Sequence, residues 1–350
     1  MKGLEGKLHD RISLSMGSGG LETSKLLERL VFTKVPQRLK TVEKGLGIDF
    51  PDDSAAIPLK DGGYLVVTVD SYTVSPVFFP GGDLGMLAAA GTINDVLMLG
   101  GKPFAALDSL VVEEGLEYSV VQRVFESMVH VFMTEDVKLV GGDFKVMPKG
   151  QLDQIIISAT GLGFAEKIIA DKNIAAGDKI IVSGWLGEHG AAVLAAQHRF
   201  DSSEFTSDVK PLTKLMMPVI EEFVEYIDAA RDPTRGGLSM VLHDWARSSN
   251  LSIFVDEVEI PVREPVSNLC EMMGIDPLSL ASEGVAVLAV KPHAAEQILE
   301  TMHSAGFRDA RIIGEVRENI RSTSFVVMKT VIGGYRVLEP PTGEIVPRIC

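Results

Sequence analysis

The sequence predicts an α/β protein of two domains, because of its length, its composition and the alternation of strand-like with helix-like segments. The 350-residue chain exceeds the usual size of one hydrophobic core. Hydrophobic residues make up 46% of it, enough to build packed interiors rather than a disordered chain. We place the domains at residues 1–165 and 166–330, followed by a tail at 331–350.

In the first domain, apolar runs alternate with stretches of helical spacing. A glycine-rich loop at 16–20 precedes a predicted helix near 21–32, and the β-branched run at 65–69 predicts a strand that ends at Asp70. The remaining predicted elements are helices at 83–99 and 118–134 and strands at 104–112, 137–140 and 154–162. This order departs from the strict alternation of a doubly wound sheet.

The second domain contains the same two kinds of segment. Strands are predicted at 179–182, 251–257, 285–290 and 309–317, and helices at 188–197, 211–226, 264–273, 292–304 and after Gly236-Gly237. The tail differs, because Glu339-Pro340-Pro341-Thr342-Gly343 cannot form a helix and Pro347 keeps the last residues extended. The sequence therefore predicts a flexible arm with a thiol, Cys350, at its end.

The charge of the chain argues against two classes of partner. Its formal net charge is -15, from 48 acidic and 33 basic residues, whereas a protein that binds nucleic acid or an anionic membrane needs a cationic face. We find no apolar run of about 20 residues, the length of a membrane span, and no hydrophobic signal core at residues 1–5. The two cysteines, Cys270 and Cys350, cannot make a disulfide framework and are typical of a reducing cytoplasm.

Four acidic clusters stand beside glycines or at the ends of predicted strands and helices. They are Asp52-Asp53-Ser54-Ala55, Asp70-Ser71, Asn94-Asp95 and Gly141-Gly142-Asp143. Carboxylates that converge on one point repel each other unless a cation neutralises them, and Mg²⁺ prefers oxygen ligands and bridges nucleotide phosphates. Acidic residues in turns are often only solvated caps, but four such clusters in one domain favour a metal site.

Two glycine-containing loops could bind phosphate. Gly17-Ser18-Gly19-Gly20 and Asp232-Pro233-Thr234-Arg235-Gly236-Gly237 each precede a predicted helix, where free backbone N–H groups can face an anion. Such loops are also common as simple turns, and the chain lacks the GxxxxGK[ST] phosphate loop. A nucleotide site in this chain is therefore of a different type.

Four further side chains are candidates for catalysis. Lys138 lies in a short apolar strand and Glu283 just before one, where either could be an ordinary surface charge. Cys270 lies on an apolar helix and is predicted to be a core residue. Cys350 differs, because an exposed thiol invites oxidation and has no packing role, whereas on a flexible arm it can be loaded at one site and processed at another.

These motifs together resemble the HypE family of hydrogenase maturation factors. That family lies in a superfamily with aminoimidazole ribonucleotide synthetase, thiamine-monophosphate kinase and selenophosphate synthetase. The most specific element is the ending Pro347-Arg348-Ile349-Cys350. The supporting segments are Gly17-Ser18-Gly19-Gly20, Asp52-Asp53-Ser54-Ala55, Asn94-Asp95-Val96, residues 137–145, Asp232-Pro233-Thr234-Arg235-Gly236-Gly237 and Glu283-Gly284. The chain departs from the family at Met16, where histidine is common, and at Gly141 and Phe144, which replace threonines.

The resemblance implies both a fold and a reaction. The fold is the two-domain one of aminoimidazole ribonucleotide synthetase, with a first domain that forms a β-barrel across a homodimer and a second that is a sheet covered by helices. The reaction begins when a carbamoyltransferase, HypF, loads Cys350 with a carbamoyl group. The chain then dehydrates this group with ATP to a thiocyanate, and the cyanide passes to a HypC–HypD complex that builds the iron centre of a [NiFe]-hydrogenase.

The resemblance also implies functions for individual residues. Lys138 and Glu283 would form a buried pair that exchanges protons with the carbamoyl nitrogen. The ligands that would hold Mg²⁺ against the triphosphate are Asp53, Asp70, Asp95 and Asp143. Further candidates for nucleotide binding are Asp52, Asn94, Lys145 and Asp232.

Two other functions are compatible with parts of the sequence. The first is an ATP-dependent kinase or synthetase of a small metabolite, which would not need the thiol of Cys350. The second is a non-catalytic scaffold that presents its tail to assembly partners, which would not need Lys138, Glu283 or the acidic clusters. The presence of all these features favours the dehydratase.

Overall fold

The computed structural model describes residues 11–200, 202–319 and 323–343. In chain order, the first half contains helices α1 (Leu21–Leu27), α2 (Leu84–Met98) and α3 (Tyr118–Thr134) and strands β1 (Ala55–Pro58), β2 (Tyr64–Tyr72), β3 (Phe78–Phe79), β4 (Gly82–Asp83), β5 (Lys102–Glu113), β6 (Lys138–Met147) and β7 (Ile155–Ala165). Five of these strands form a sheet in the order β1-β2-β7-β5-β6. Only the β5–β6 pair in it is parallel, which α3 makes possible by crossing over between them.

Helix α2 begins where the sequence provides a cap. The Asp83 carboxylate accepts hydrogen bonds from the N–H groups of Gly85 (2.9 Å) and Met86 (3.0 Å), two donors of the first turn. Nearly every residue of α2 is buried, as its Ala- and Leu-rich sequence predicts. A Cβ on Gly85 would overlap the carbonyl oxygen of Val124, so this glycine lets α3 lie directly against α2.

Helices cover one face of the first sheet within the described chain. Along β7, alternate residues such as Ile155 and Ile157 are buried, and the residues between them point to the other face. That other face carries apolar side chains in the open, since Val69 is 69%, Leu107 38% and Phe164 42% exposed. We call it the open face.

The second half contains strands β8 (Lys179–Val182), β9 (Ile227–Arg231), β10 (Ser252–Asp256), β11 (Val287–Val290), β12 (Arg311–Arg317), β13 (Val326–Lys329) and β14 (Tyr335–Val337) and helices α4 (Glu188–His198), α5 (Thr213–Phe223), α6 (Gly237–Ser249), α7 (Glu264–Met273) and α8 (Ala295–Ser304). Its seven strands form one sheet in the order β14-β13-β10-β12-β8-β11-β9. Strand β14 belongs to this sheet, so the predicted tail, 331–350, begins inside a hairpin rather than as a free arm.

Both faces of the second sheet are covered. Ile180 packs in a core with Trp245 of α6, whereas the next residue, Ile181, packs in a second core with Leu215 of α5. This second core continues into the first domain, where it includes Leu87 of α2. The continuous core fixes the cleft between the sheets, in which the acidic residues lie.

Two sequence predictions can be compared directly with this fold. Cys270 is 1% exposed on α7, and burial raises the pKa of its thiol to about 12, so the prediction of a core cysteine is confirmed. In the described ranges, we find no helix with both the length and the apolar character of a membrane span.

Candidate functional site

Five acidic side chains from both domains lie together where the two sheets approach each other. They are Asp53 before β1, Asp70 in β2, Asp95 in α2, Asp232 after β9 and Glu283 before β11. These carboxyl groups are close enough for their charges to interact, since repulsion from Asp232, Asp53 and Asp70 raises the pKa of Asp95. Three of the four acidic clusters named from the sequence thus contribute to this group, through Asp53, Asp70 and Asp95, whereas Asp143 does not. We call this group the acidic cluster.

Four carboxyl groups of the acidic cluster have raised pKa values, those of Asp53, Asp95, Asp232 and Glu283. Burial raises the pKa of Asp95 well above its usual value, and its acidic neighbours raise it further. Burial also raises the pKa of Asp232, with repulsion from Asp53 and Glu283 as the next cause. Such an accumulation of buried negative charge is costly without a cation, and is typical of functional sites.

Arg231, the last residue of β9, supplies part of the missing positive charge. Its Nη1 donates a hydrogen bond to Asp53 (2.6 Å) and its Nε to Asp171 (2.9 Å), and its Nε lies 3.5 Å from an oxygen of Asp52. Asp52 also accepts hydrogen bonds from the N–H groups of Asp53 (2.9 Å) and Asp171 (3.0 Å). Arg231 therefore ties the second domain to the Asp52–Asp53 segment of the first, and Asp52 belongs to this network of ion pairs.

Replacing Arg231 with alanine is expected to lower the free energy of unfolding by about 3–5 kcal/mol, because three buried carboxylates lose their counter-charge. The loss should be smaller at pH 5 than at pH 8. Arg231 lowers the pKa values of Asp52, Asp53 and Asp171. Without Arg231, these carboxyl groups take up protons in the folded state at higher pH. Because a group with a raised pKa in the folded state stabilises the fold as the pH falls, the variant recovers part of its lost stability at pH 5.

Urea denaturation at both pH values measures this effect. The matched control is Arg247→Ala, which removes an ion pair with Asp244 whose arginine side chain is 67% exposed and should cost less than about 1 kcal/mol. Equal costs for the two variants would show that Arg231 does not stabilise the junction between the domains.

The two predicted phosphate loops meet at the edge of the acidic cluster. Arg235 donates a hydrogen bond from Nη2 to Asp70 (2.6 Å). A Cβ on Gly19 would overlap Arg235, so the first glycine loop packs directly on the second, and Gly19 adopts a positive φ of 80° that suits glycine. Both loops thus lie beside the carboxylates, and each precedes a helix, where backbone N–H groups can face an anion.

Asn94 and Asp208 position Glu283 through its backbone. The Asn94 amide donates to the carbonyl oxygens of Lys210 (3.2 Å) and Glu283 (3.3 Å) and accepts from the N–H of Leu212 (2.8 Å). Asp208 accepts hydrogen bonds from the N–H groups of Glu283 (3.1 Å) and the following glycine (3.2 Å). Both amide hydrogens of Asn94 are therefore directed to protein carbonyls rather than toward a nucleotide.

Glu283 itself is 1% exposed. Burial raises its pKa well above the usual value, and repulsion from Asp208, Asp70 and Asp95 raises it further. A carboxylate with a raised pKa accepts protons more readily near neutral pH. Its position therefore suits a general base that faces the acidic cluster.

Lys138, Asp143 and Lys145 lie on strand β6, away from this arrangement. The Lys138 side chain is 65% exposed and forms an ion pair with Asp136, and Asp143 and Lys145 pair with each other at 2.6 Å. In a single chain Lys138 is not buried beside Glu283, because β6 is an edge strand and its side chains are exposed, so their pairing stays a prediction.

The residues of the acidic cluster suit Mg²⁺ in their chemistry. Asp53 Oδ2 and Asp232 Oδ2 are buried without a hydrogen-bond partner, so each has an oxygen available for a cation. In the described residues, no three acidic, histidine or cysteine side chains are already arranged as a metal site. Mg²⁺ commonly takes one or two carboxylates and completes its shell with phosphates and water.

Comparison with known proteins identifies relatives over the whole chain. Residues 51–165 match the family AIR synthase related protein, N-terminal domain, and residues 175–327 match AIR synthase related protein, C-terminal domain. Among curated relatives, carbamoyl dehydratase HypE of Bradyrhizobium diazoefficiens is 36% identical over 358 residues, which cover 100% of each chain.

Solved structures agree with these relatives. A crystal structure of a HypE–HypF complex contains a chain that is 37% identical, with a TM-score of 0.81 over 90% of this chain and 99% of that one. A crystal structure of the hydrogenase maturation protein HypE in complex with ATP is 35% identical, with a TM-score of 0.78 over 97% of this chain and 100% of that one. The two-domain fold and the cleft are thus shared with proteins that have been crystallised with ATP and with HypF.

Proposed function

This chain belongs to the HypE family of AIR synthase related proteins, and from that premise we infer its function. It is an ATP-dependent carbamoyl dehydratase of hydrogenase maturation. The observation that carries this conclusion is the full-length match to carbamoyl dehydratases, combined with a cleft that holds the acidic cluster and the buried carboxyl group of Glu283. We propose that the carbamoyl group is carried on the sulfur of Cys350, which lies outside the described residues.

The reaction balances with ATP as the acceptor of the oxygen. The carbamoyl oxygen attacks the γ-phosphorus of ATP and ADP leaves, while the carbamoyl nitrogen loses one proton. The second N–H proton is then removed, its electron pair forms the carbon–nitrogen triple bond, and the carbon–oxygen bond breaks with release of phosphate. The products are the thiocyanate, ADP and phosphate. Phosphorylation is needed because an amide oxygen is a poor leaving group and phosphate is a good one.

We assign the removal of protons from nitrogen to Glu283. Its raised pKa favours proton uptake, and the hydrogen bonds from the Glu283 and Gly284 N–H groups to Asp208 fix its backbone. Its burial also keeps water from the reacting carbon, which would otherwise hydrolyse an activated carbamoyl group.

We assign nucleotide binding to the acidic cluster and the two glycine loops. Asp53, Asp70, Asp95 and Asp232 would hold Mg²⁺, which screens the phosphate charge and aligns the γ-phosphoryl group when it is bound. Arg231 and Arg235 now neutralise Asp53 and Asp70, so they would have to share these carboxylates with the ion. Arg235 would then be available to a phosphate oxygen.

We propose that a second copy of the chain covers the open face. Apolar side chains are exposed across it, and β6 leaves one edge without a partner strand in the described chain. Uncovered apolar faces and unpaired strand edges usually mark an interface. Two such sheets face to face would form the barrel that the family resemblance implies, and β6 of the second copy would bring Lys138, Asp143 and Lys145 towards the acidic cluster. Contact with a second copy would explain why these three side chains are exposed in a single chain.

Replacing Val69 with glutamate is expected to convert the homodimer to a monomer, because it places a charge at the centre of the proposed apolar interface. Sedimentation velocity measures this change. The matched control is Val331→Glu, which alters a side chain of similar exposure, 67%, in the turn between β13 and β14. A wild-type chain that sediments as a monomer, or a Val69→Glu variant that remains a dimer, would contradict the proposed interface.

The partners follow from the same premise. The solved HypE–HypF complex supports HypF as the enzyme that loads Cys350. We propose that a HypC–HypD complex receives the cyanide, and that these steps take place in the cytoplasm. The cytoplasmic location is supported by the presence of only two cysteines, which is typical of a reducing compartment.

The stoichiometry of ATP use tests the function. With ATP present, protein that HypF has carbamoylated should release one phosphate for each nitrile formed. Protein that has not been carbamoylated should release almost no phosphate. A small-metabolite kinase would instead consume ATP without loading once its acceptor is supplied. A scaffold would form nitrile in neither case.

A further inference from the structure

The root of the tail is held in place rather than free. Residues 338–343 follow β14 and run along helix α6. Leu338 is 1% exposed, and its carbonyl oxygen accepts a hydrogen bond from Nε2 of His243 (2.7 Å). The carbonyl oxygen of Glu339 accepts a second one from the hydroxyl of Ser239 (3.2 Å). The second domain thus fixes where the tail leaves the sheet.

The glycine-loop segment holds the next part of the tail from the other side. The N–H of Leu21 donates to the carbonyl oxygen of Pro341 (3.0 Å). The Ser18 hydroxyl shares its proton between the carbonyl oxygens of Ser15 (2.9 Å) and Gly343 (3.0 Å). The Glu22 carboxylate accepts from the N–H of Gly343 (3.3 Å). Three hydrogen bonds to residues 341–343 make a specific contact between two segments that are far apart in sequence.

This contact lies at the mouth of the acidic cluster. Gly19, in the same loop, packs on Arg235, whose guanidinium donates to Asp70. Pro341 is buried beside Gly236, where a Cβ would come within 3.2 Å of the proline ring. Residues 344–350 can extend at most about 25 Å beyond this point. The contact therefore fixes the point from which these last seven residues start.

We propose that Ser18, Leu21 and Glu22 form a clasp that positions the loaded tail for dehydration, an inference that rests on the proposed function. By anchoring the chain seven residues before the thiol, the clasp raises the effective concentration of the carbamoyl group at the acidic cluster. The clasp belongs to the same loop that packs on Arg235. Nucleotide binding under that loop and closure of the clasp are therefore coupled, so that each favours the other.

The clasp is tested with the double variant Ser18→Ala/Glu22→Ala of the full-length chain. The control is Ser24→Ala/Glu28→Ala, which makes the same chemical changes in the adjoining turns at side chains without a hydrogen bond to another described residue. Both chains are loaded with HypF, mixed with MgATP and followed in a single turnover. Amide hydrogen exchange of Gly343 reports whether the clasp is open.

In the clasp variant, nitrile formation should slow about tenfold, the effect expected from losing two ordinary hydrogen bonds of the closed state. Its exchange at Gly343 should be faster and its ATP affinity lower, because the clasp and the nucleotide favour each other. With MgATP kept saturating, its rate of loading should stay within about twofold of wild type. If Ser18 and Glu22 only stabilised the fold, the variant would slow loading and nitrile formation together. The control should match the wild type in every measurement. If the double variant melts early, Glu22→Ala alone takes its place with the same expectations.

Two results would overturn the proposals, and they are distinguishable. A variant with faster Gly343 exchange that forms nitrile at the wild-type rate would refute the clasp and leave the proposed function intact. A loaded wild-type chain that forms no nitrile would refute the proposed function itself, and the clasp with it.

Discussion

Replacing Cys350 with alanine should abolish both carbamoyl loading and nitrile formation, while ATP affinity stays within about twofold of wild type. The thiolate is the proposed acceptor of the carbamoyl group, so no covalent chemistry can begin without it. The other cysteine cannot substitute, because Cys270 is 1% exposed and burial raises its pKa to about 12. Mass spectrometry after incubation with HypF measures loading, and calorimetry measures ATP binding.

Cys270→Ala is the matched control for this variant. It removes the only thiol in the described part of the chain and should leave loading unchanged. A Cys350→Ala chain that still gains a carbamoyl group would show that another residue is the acceptor, and the tail would lose its assigned function.

Replacing Glu283 with glutamine should slow nitrile formation by about 10²–10⁴-fold, the usual contribution of a general base. Glutamine has the same shape but cannot take a proton from nitrogen. The backbone contacts of Glu283 with Asp208 and Asn94 do not involve its side chain, so the fold of the turn should be kept. Loaded chain should therefore accumulate in its carbamoyl form when MgATP is added, which quenched-flow sampling with mass detection measures.

The control for the base is Glu225→Gln, at a side chain that is 57% exposed and pairs with Lys167 on the surface. It should form nitrile at the wild-type rate. If Glu283→Gln also does so, the base is another group. Lys138 of a second copy would then be the next candidate, and Lys138→Ala in the dimer would test it.

Much of the fold follows from sequence patterns, and the exceptions have physical reasons. The buried helix at 84–98 and the long strand at 155–165 agree with their predicted positions within a few residues, because their apolar patterns are strong. Strand β6 extends to Met147, well past the predicted end at 140. The glycines at 141 and 142 indicate a turn locally, but pairing with β5 continues through them.

The site could be predicted only where its residues lie in recognisable motifs. Asp53, Asp70, Asp95 and Asp232 stand at strand or helix ends or in glycine loops, and they do converge. Single charges in otherwise ordinary segments carry no such signal. Arg231, Asp171 and Asp208 were therefore not expected from the sequence, although they form the ion network and hold the turn at Glu283.

The partnership of Lys138 could not be settled from one chain's sequence. A lysine in a short apolar strand can face a cleft or lie on a sheet edge, and the strand pattern is the same in both cases. The structure places it on the edge, where its contact is Asp136. Only the arrangement of a second copy decides whether it approaches Glu283.

The most direct test of the account is a mass time course of the full-length chain with HypF, its carbamoyl donor and MgATP. The prediction is a gain of about 43 Da as the thiol is loaded, followed by a loss of about 18 Da as the carbamoyl group becomes a nitrile, both located to Cys350 by fragmentation. A chain that is loaded at Cys350 but never loses water, with MgATP present, would contradict the central claim.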